Sequence, residues 1–432
     1  MPEASTRSAA PRNPWAWIPT LYFAEGLPYA LVTAVSLLLY KDLGLSNGEI
    51  TFISSWLTLP WLLKPLWSPV VDILKTRRLW IFGMQSVFAL SIAAVVFTLR
   101  GEHFLGWSLF FFYLTAFASA THDIAADGFY LLANTEEQQS FFSGVRNASY
   151  RLATIFAGGL LLLLAGKIGK HTGNVTWGWQ MAFVIAAGTM ALFAAYHFFV
   201  LPRPSRDVPG EIHSIAKFWR EFFGTFGSFF QKPKITLMIL FLLFYRFGEA
   251  QLTKMVPLFL RDPRDQGGLG LLTDDVGLVY GTIGVTALLA GGIAGGMLVS
   301  RRGLRAWLWP MVFVMHLPDA VFIYLSQVQP TNTIAISACV AVEQFGYGFG
   351  FTAYMLYMIY IARGPHQTAH YAICTGFMAL GLLLPGMWSG WLQHLLGYPH
   401  FFMWVLLATI PGFVVTALIP LDAEFGKRQT TK

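Results

Sequence analysis

The sequence has little charge and almost no cysteine. Only 12% of its 432 residues are charged, and it contains two cysteines. Cys339 and Cys374 both fall inside long apolar stretches, where small packing residues are expected, so a disulfide framework is excluded. The histidines are scattered without the spacing of metal ligands, and no metal site is predicted.

Motifs for nucleotide hydrolysis and for nucleophilic catalysis are also lacking. The glycine-rich segment 291–296 has no preceding strand and no following Gly-Lys-Ser/Thr, so it predicts close helix packing rather than a phosphate loop. No nucleophile–base set stands out, and neither an enzyme nor a cofactor is expected. The N-terminus is polar and lacks the apolar core of a signal peptide, so the first apolar stretch is expected to remain.

Long apolar stretches dominate the chain instead. Hydrophobic residues make up 55% of it, and the mean hydropathy is +0.56. A spanning helix needs roughly 20 apolar residues, and lipid offers no partner for an open backbone group. The lengths exclude the alternating strands of a barrel. The sequence therefore predicts an all-α integral membrane protein whose twelve transmembrane helices lie at about 15–40, 50–71, 79–99, 104–133, 141–166, 178–201, 234–260, 274–300, 305–327, 332–362, 368–394 and 398–420.

The excess of basic over acidic residues is better explained by membrane topology than by nucleic-acid binding. The sequence pI is about 9.3. Lysine and arginine are concentrated in the two tails and in every second loop, which is the asymmetry that orients a membrane protein. This bias predicts that both termini are cytoplasmic and that nucleic acid is not a partner.

A polar interruption divides the predicted spans six and six. We expect an N-terminal half at 1–201, a cytoplasmic linker with an interfacial amphipathic helix at 202–233, and a C-terminal half with a short tail at 234–432. The halves echo one another, because Glu25 and Glu249 each follow a phenylalanine two residues earlier. Twelve spans split in this way resemble the major facilitator superfamily, in which two pseudo-symmetric six-helix halves move about a site at the membrane midplane.

Charges inside the spans are the candidate functional residues, because charge is costly at membrane depth. Glu25 lies near the middle of span 1, shortly before Pro28, which removes a backbone hydrogen bond. Asp123 and Asp127 are four residues apart on one face of span 4, where two close carboxylates do not both ionise easily. These three acids are predicted to couple protons, although a structural ion-pair network with Arg146 or Arg151 is equally compatible with the pattern.

Cargo contacts are predicted on spans 4, 5 and 7. Arg151, beside Tyr150, is placed either to bind an anionic cargo or to neutralise Asp123. Arg246 and Glu249 are three residues apart and form either a self-neutralising pair or a second cargo contact, and His122 is a further candidate. His316, Asp319 and Glu343 are weaker candidates inside the later spans.

Three segments resemble the AmpG-type muropeptide permeases, a group whose relatives include acetyl-CoA transporters and siderophore importers. They are FAEGLP at 23–28, LKPLWSPVVD at 63–72, and HDIAADG at 122–128 with YRL at 150–152. The chain departs from the group's pattern at Glu25 and His122. On this resemblance Asp123, Asp127 and Arg151 belong to the proton and substrate network, and the inner gate consists of Lys64, Asp72, Arg77 and Arg78.

The predicted function is secondary active transport by alternating access. We expect proton-coupled import of an anionic or amphiphilic small molecule, such as a peptidoglycan-derived muropeptide, by a monomer in the lipid bilayer of the bacterial inner membrane. The alternatives are a siderophore or acyl-CoA carrier, an exporter of amphiphiles, or a membrane receptor that does not transport.

Overall fold

The computed structural model describes residues 13–209, 220, 223–224, 226–364, 367–423 and 425–426. Every regular element among these residues is helical. The amphipathic helix predicted in the linker falls mostly outside the described residues.

Spans 1 to 6 match the predicted positions, with two interruptions by π-helical turns. Their bounds are Pro14–Asp42 for span 1, Arg77–Thr98 for span 3, Phe104–Ala133 for span 4, Glu136–Ile155 continued by Phe156–Leu161 and Leu162–Thr172 for span 5, and Val175–Val200 for span 6. Span 2 consists of the short helices Asn47–Trp56, Leu59–Leu63 and Ser68–Leu74. Its three prolines lack the backbone N–H that a continuous helix requires, which explains the breaks.

The later spans are also broken at several points. Their helices are Ile235–Phe244 and Phe247–Arg261 for span 7, Thr273–Val276, Gly277–Gly284 and Val285–Arg302 for span 8, Leu304–His316, Leu317–Asp319 and Ala320–Val328 for span 9, and Thr333–Ala362 for span 10. The segment Gln367–Ala408 contains span 11 and most of span 12, which are separated by a kink at Gly397, where φ is 70°. The helix Ile410–Leu418 completes span 12.

Ten helices within the described residues are long and apolar enough to cross a membrane. This number agrees with twelve predicted spans, because spans 11 and 12 count as one helix of 49 residues and the broken span 2 is not counted. Large apolar side chains such as Phe97, which is 83% exposed, and Leu192, which is 73% exposed, cover the outside of the helices, as expected for a lipid-facing surface.

By contacts the chain forms two compact units that interleave along the sequence. The first unit contains residues 1–29, 66–153 and 183–215, and the second contains 30–65, 154–182 and 216–432. The first unit therefore contains the first part of span 1, all of spans 3 and 4, most of span 5 before its π-helical turn, and span 6 from residue 183 onward. The division at the linker stays a prediction.

Glycine allows close helix packing in the second unit. A Cβ added at Gly291 of span 8 would overlap the Phe345 carbonyl of span 10, and one added at Gly348 would overlap the Leu288 carbonyl in return. The glycine-rich segment at 291–296 is therefore a helix-packing face, as the sequence predicts.

Candidate functional site

The predicted proton-coupling acids meet in the first unit. The Glu25 carboxyl lies close to the Asp123 carboxyl and interacts electrostatically with both Asp123 and Asp127. Two carboxyl groups that lie side by side do not both ionise easily, and a proton on either one would let it donate to the other. The second oxygen of Glu25, Oε2, is buried and has no hydrogen-bond partner.

Asp127 connects this acid pair to a cation and a phenol. Its Oδ1 accepts a hydrogen bond from the Tyr22 hydroxyl at 3.1 Å and forms an ion pair with Arg146. The Asp127 side chain is 48% exposed, in contrast to the buried Oε2 of Glu25. The three acids thus extend from the helix interior to an accessible carboxylate.

Arg146 is the cation of this network. Its guanidinium lies 4.1 Å from the ring centre of Tyr22 and 4.5 Å from that of Tyr130, so two aromatic faces hold it beside Asp127. The sequence left Arg146 and Arg151 as alternatives for this role. Arg151 is half-buried and takes part in none of the ion pairs found among the described residues.

Tyr150 packs against span 1 close to Glu25. An added Cβ at Gly26 would lie 2.7 Å from the Tyr150 carbonyl oxygen, so glycine is what permits spans 1 and 5 to approach there. The Tyr150 ring lies 6.3 Å from that of Tyr29, and its phenol interacts electrostatically with Glu25 and Arg151. Tyr150 and Arg151 therefore lie next to the acid network.

His122 belongs to a buried hydrogen-bond chain across four spans. Its Nε2 lies 2.9 Å from Gln85 Nε2, Gln85 Oε1 lies 3.0 Å from His197 Nδ1, and His197 Nε2 lies 2.9 Å from Thr20 Oγ1. With Gln85 donating, His122 accepts at Nε2 and carries its proton on Nδ1, which is buried without a partner. The sequence did not identify Gln85 or His197, and a buried polar residue on a helix face is the only signal that it offers for them.

The predicted gate residues flank the break in span 2 and the start of span 3. Lys64 is half-buried in the 3₁₀ turn Lys64–Leu66, and the side chain of Asp72 lies outside the described residues. The backbone N–H groups of Arg77 and Arg78 donate to Oδ1 and Oδ2 of Asp207 at 2.8 and 3.1 Å. Asp207 thus caps span 3, which the sequence did not predict.

The second unit holds the other predicted cargo contacts at a break in span 7. Arg246 separates its two helices and lies 4.6 Å from the ring centre of Phe351 and 5.1 Å from that of Tyr347. Among the described ion pairs none joins Arg246 to Glu249, although the two groups interact electrostatically, so the self-neutralising pair and the cargo contact both stay predictions. One turn beyond Glu249, Lys254 Nζ donates to Ser54 Oγ at 3.0 Å.

A polar network, here called the clasp, joins the far end of span 1 to the later spans of the second unit. Asp42 accepts from Arg261 Nε at 2.7 Å, from Trp179 Nε1 at 3.0 Å and from Thr273 Oγ1 at 2.6 Å. Lys41 forms an ion pair with Asp262. Asn47 donates to Asp262 Oδ2 at 2.8 Å, and Tyr398 also donates to this carboxylate.

The clasp was missed because its charged members lie just outside the predicted spans. Asp42 and Asp262 lie at the ends of predicted spans, where charge is common and attracts no attention. In the structure their side chains are 2% and 3% exposed. No sequence signal pairs residues that are more than two hundred positions apart.

Comparison with known proteins agrees with this arrangement. The model of the Major Facilitator Superfamily matches residues 20–372. The anhydromuropeptide permease of Escherichia coli (strain K12) is 26% identical over 417 residues, which cover 94% of this chain and 80% of the permease. The putative transporter AmpG 4 of Rickettsia felis is 24% identical over 407 residues, covering 91% of this chain and 94% of the relative. The resemblance to AmpG-type permeases predicted from the motifs is confirmed.

Solved structures share the fold at low sequence identity. A D-xylose–proton symporter matches with a TM-score of 0.72 and 12% identity, covering 95% of this chain and 98% of the symporter. A bacterial homologue of the human lysosomal transporter Spinster matches with a TM-score of 0.68 and 15% identity, covering 93% and 94%. The chain is a multi-pass membrane transporter rather than an enzyme, and it belongs to the Major Facilitator Superfamily.

Proposed function

We propose that this transporter imports an anionic muropeptide-like solute together with protons across the bacterial inner membrane, with both termini cytoplasmic. The observation that carries the proposal is that the carboxyl groups of Glu25 and Asp123, on two different spans, lie close together and interact electrostatically. A proton on either acid relieves the repulsion between them, and its loss leaves two negative charges side by side. The printed name of the Escherichia coli relative, anhydromuropeptide permease, supports the cargo class.

Proton binding and release drive the conformational cycle in this proposal. Protonation of Glu25, Asp123 or Asp127 lowers the cost of holding these groups in a dry, closed intermediate. Arg146 and the exposed side of Asp127 provide a polar route along which a proton enters or leaves the pair. Lys64, Asp72, Arg77 and Arg78 control the cytoplasmic side, as the resemblance implies.

Cargo binding is assigned to the neighbours of the acid network. Arg151 and Tyr150 lie next to it, and an arginine that has no ion-pair partner among the described residues suits the carboxylates of a peptide cargo. The unpartnered Nδ1–H of His122 is a second donor. Arg246 and Glu249 are assigned to the cargo path in the later spans.

The proposal is tested by uptake into vesicles that contain the purified protein. Labelled anhydromuropeptide is offered with an inward proton gradient, an outward proton gradient, or no gradient, and with ferric siderophore or acyl-CoA as competing cargo. We expect uptake only with the inward gradient, and we expect only muropeptides to compete with the labelled cargo. Transport with the opposite gradient would indicate an exporter, competition by the other cargoes would indicate another substrate class, and binding without transport would indicate a receptor. Each of these outcomes would overturn the proposal.

A further inference from the structure

A second cluster of acids lies in the second unit, and the proposed function does not use it as a unit. Glu249 on span 7, Asp319 on span 9 and Glu343 on span 10 are each 1% exposed. One carboxylate oxygen of each lies within 4.8 Å of those of the other two. Three side chains from three different helices therefore converge on one point in the interior.

Several polar atoms around this point have no hydrogen-bond partner. They include both carboxylate oxygens of Asp319, Oε2 of Glu249 and both ring nitrogens of His316. His316 is 1% exposed, and its Nδ1 lies 3.8 Å from Asp319 Oδ2. A buried polar atom without a partner destabilises the folded protein, so a cluster of them points to a bound species that supplies the missing contacts.

The charge around the acids is not balanced by the protein. Arg246 is the cation that faces Glu249, and its guanidinium is held between aromatic rings. The other groups that face the acids carry no fixed positive charge: Tyr280, Thr253, Gln344 and His316. One guanidinium does not neutralise three carboxylates, and uncompensated charge is costly in a dry interior.

The backbone is irregular where the acids meet. Span 7 is interrupted at Arg246, and span 9 contains the 3₁₀ turn Leu317–Asp319. Span 8, which carries Tyr280, is π-helical over Gly277–Gly284. Discontinuous helices and π-bulges are frequent at ion and substrate sites in transporters.

We propose that Glu249, Asp319 and Glu343 form a binding site for a small monovalent cation, either protons or Na⁺. Carboxylate oxygens are hard donors that suit both. Gln344 Nε2 donates to the two oxygens of Glu343 at 3.0 and 3.3 Å, which orients this carboxylate toward the other two. Bound protons convert the acids into donors to one another and to His316, whereas bound Na⁺ is coordinated by one oxygen from each acid.

The site is tested by binding, without cargo, on the full-length protein in nanodiscs. Infrared difference spectra between about pH 5 and about pH 8 report protonated carboxyl groups, and thermal unfolding in sodium chloride against choline chloride reports Na⁺. If protons occupy the site, Glu249→Gln, Asp319→Asn and Glu343→Gln each remove a carboxyl band that persists at neutral pH. If Na⁺ occupies it, sodium raises the Tm of the unsubstituted protein and the three variants lose that shift.

The control is Glu102→Gln, which changes an exposed loop carboxylate and is expected to alter neither signal. Three variants are compared because one of them can fail to fold, and size-exclusion profiles identify such a case. Acids that are fully ionised at neutral pH, together with no sodium effect, would overturn the inference. A carboxyl band at neutral pH, or a sodium-induced rise in Tm, that all folded variants retain would also overturn it. Such a result would not contradict proton-driven uptake. The inference depends on the proposed function only for the role of this site in coupling transport to the bound cation.

Discussion

Arg261 Nε donates to Asp42 Oδ1 at 2.7 Å and thereby joins the far end of span 1 to the end of span 7. Asp42 accepts two further hydrogen bonds and is almost fully buried, so this carboxylate is the centre of the clasp. We expect these contacts to break if spans 1 and 7 separate at this end during transport.

Replacing either Asp42 or Arg261 alone is expected to destabilise the protein more than replacing both. Asp42→Asn leaves the Arg261 guanidinium without its carboxylate, and leaving such a group unsatisfied costs about 1–3 kcal/mol. Arg261→Gln together with Asp42→Asn removes the stranded charge. Thermal unfolding of the two single variants and the double variant measures the coupling. Strictly additive losses of stability would show that the pair contributes nothing specific.

Arg146 and Arg151 are expected to act differently, although they lie on the same span. Arg146→Gln removes the ion-pair partner of Asp127 and is expected to shift the pH optimum of uptake by about one pH unit. Arg151→Gln, the matched variant, is expected to raise KM for an anionic cargo about tenfold and to leave the pH optimum unchanged. Initial uptake rates as a function of pH and of cargo concentration separate the two effects. Identical changes in both variants would contradict these assignments.

The two histidines of the buried chain provide a second matched pair. His122→Ala and His197→Ala each break a hydrogen bond to Gln85 and are expected to lower the Tm by similar amounts. Only His122 has a ring nitrogen without a partner, so only its variant is expected to raise KM for cargo. KM for cargo and Tm are measured for both variants, and the change in KM is compared with the change in Tm. Equal KM values in the two variants would leave His122 with a structural role alone.

Close packing of spans 8 and 10 predicts different tolerance at two neighbouring glycines. A Cβ at Gly291 overlaps the Phe345 carbonyl, whereas a Cβ at Gly296 has nothing within 4 Å. Gly291→Val is therefore expected to cost about 1–3 kcal/mol or to prevent folding, while Gly296→Val is expected to be tolerated. Expression and thermal unfolding compare the two. A stable Gly291→Val protein would contradict the close approach.

The helical fold was predictable because lipid permits few alternatives. Apolar length alone gives the spans, and Pro28 and Pro318 mark places where spans 1 and 9 become irregular, at Leu31–Val35 and Leu317–Asp319. The sequence could not show that span 2 breaks into short helices, since its three prolines are also compatible with one kinked helix.

The acids of the candidate site could be predicted from the sequence, whereas most of their partners could not. Charges at membrane depth identified Glu25 and Asp123, which are in contact. Choosing between Arg146 and Arg151 required the positions of Tyr22 and Tyr130, which hold the first arginine by their ring faces. The convergence of Asp319 and Glu343 on Glu249 depends on three-dimensional packing of separate spans, and no local pattern encodes it.

Uptake by the Asp123→Asn variant tests the central claim most directly. The amide keeps the shape of the side chain but removes its exchangeable proton, so we expect uptake driven by a pH gradient to be abolished while the protein remains folded in the membrane. Size-exclusion profiles and thermal unfolding verify the fold, and downhill exchange of labelled for unlabelled cargo verifies that the binding path is intact. Undiminished proton-driven uptake in this variant would contradict the proposed role of the Glu25–Asp123 pair.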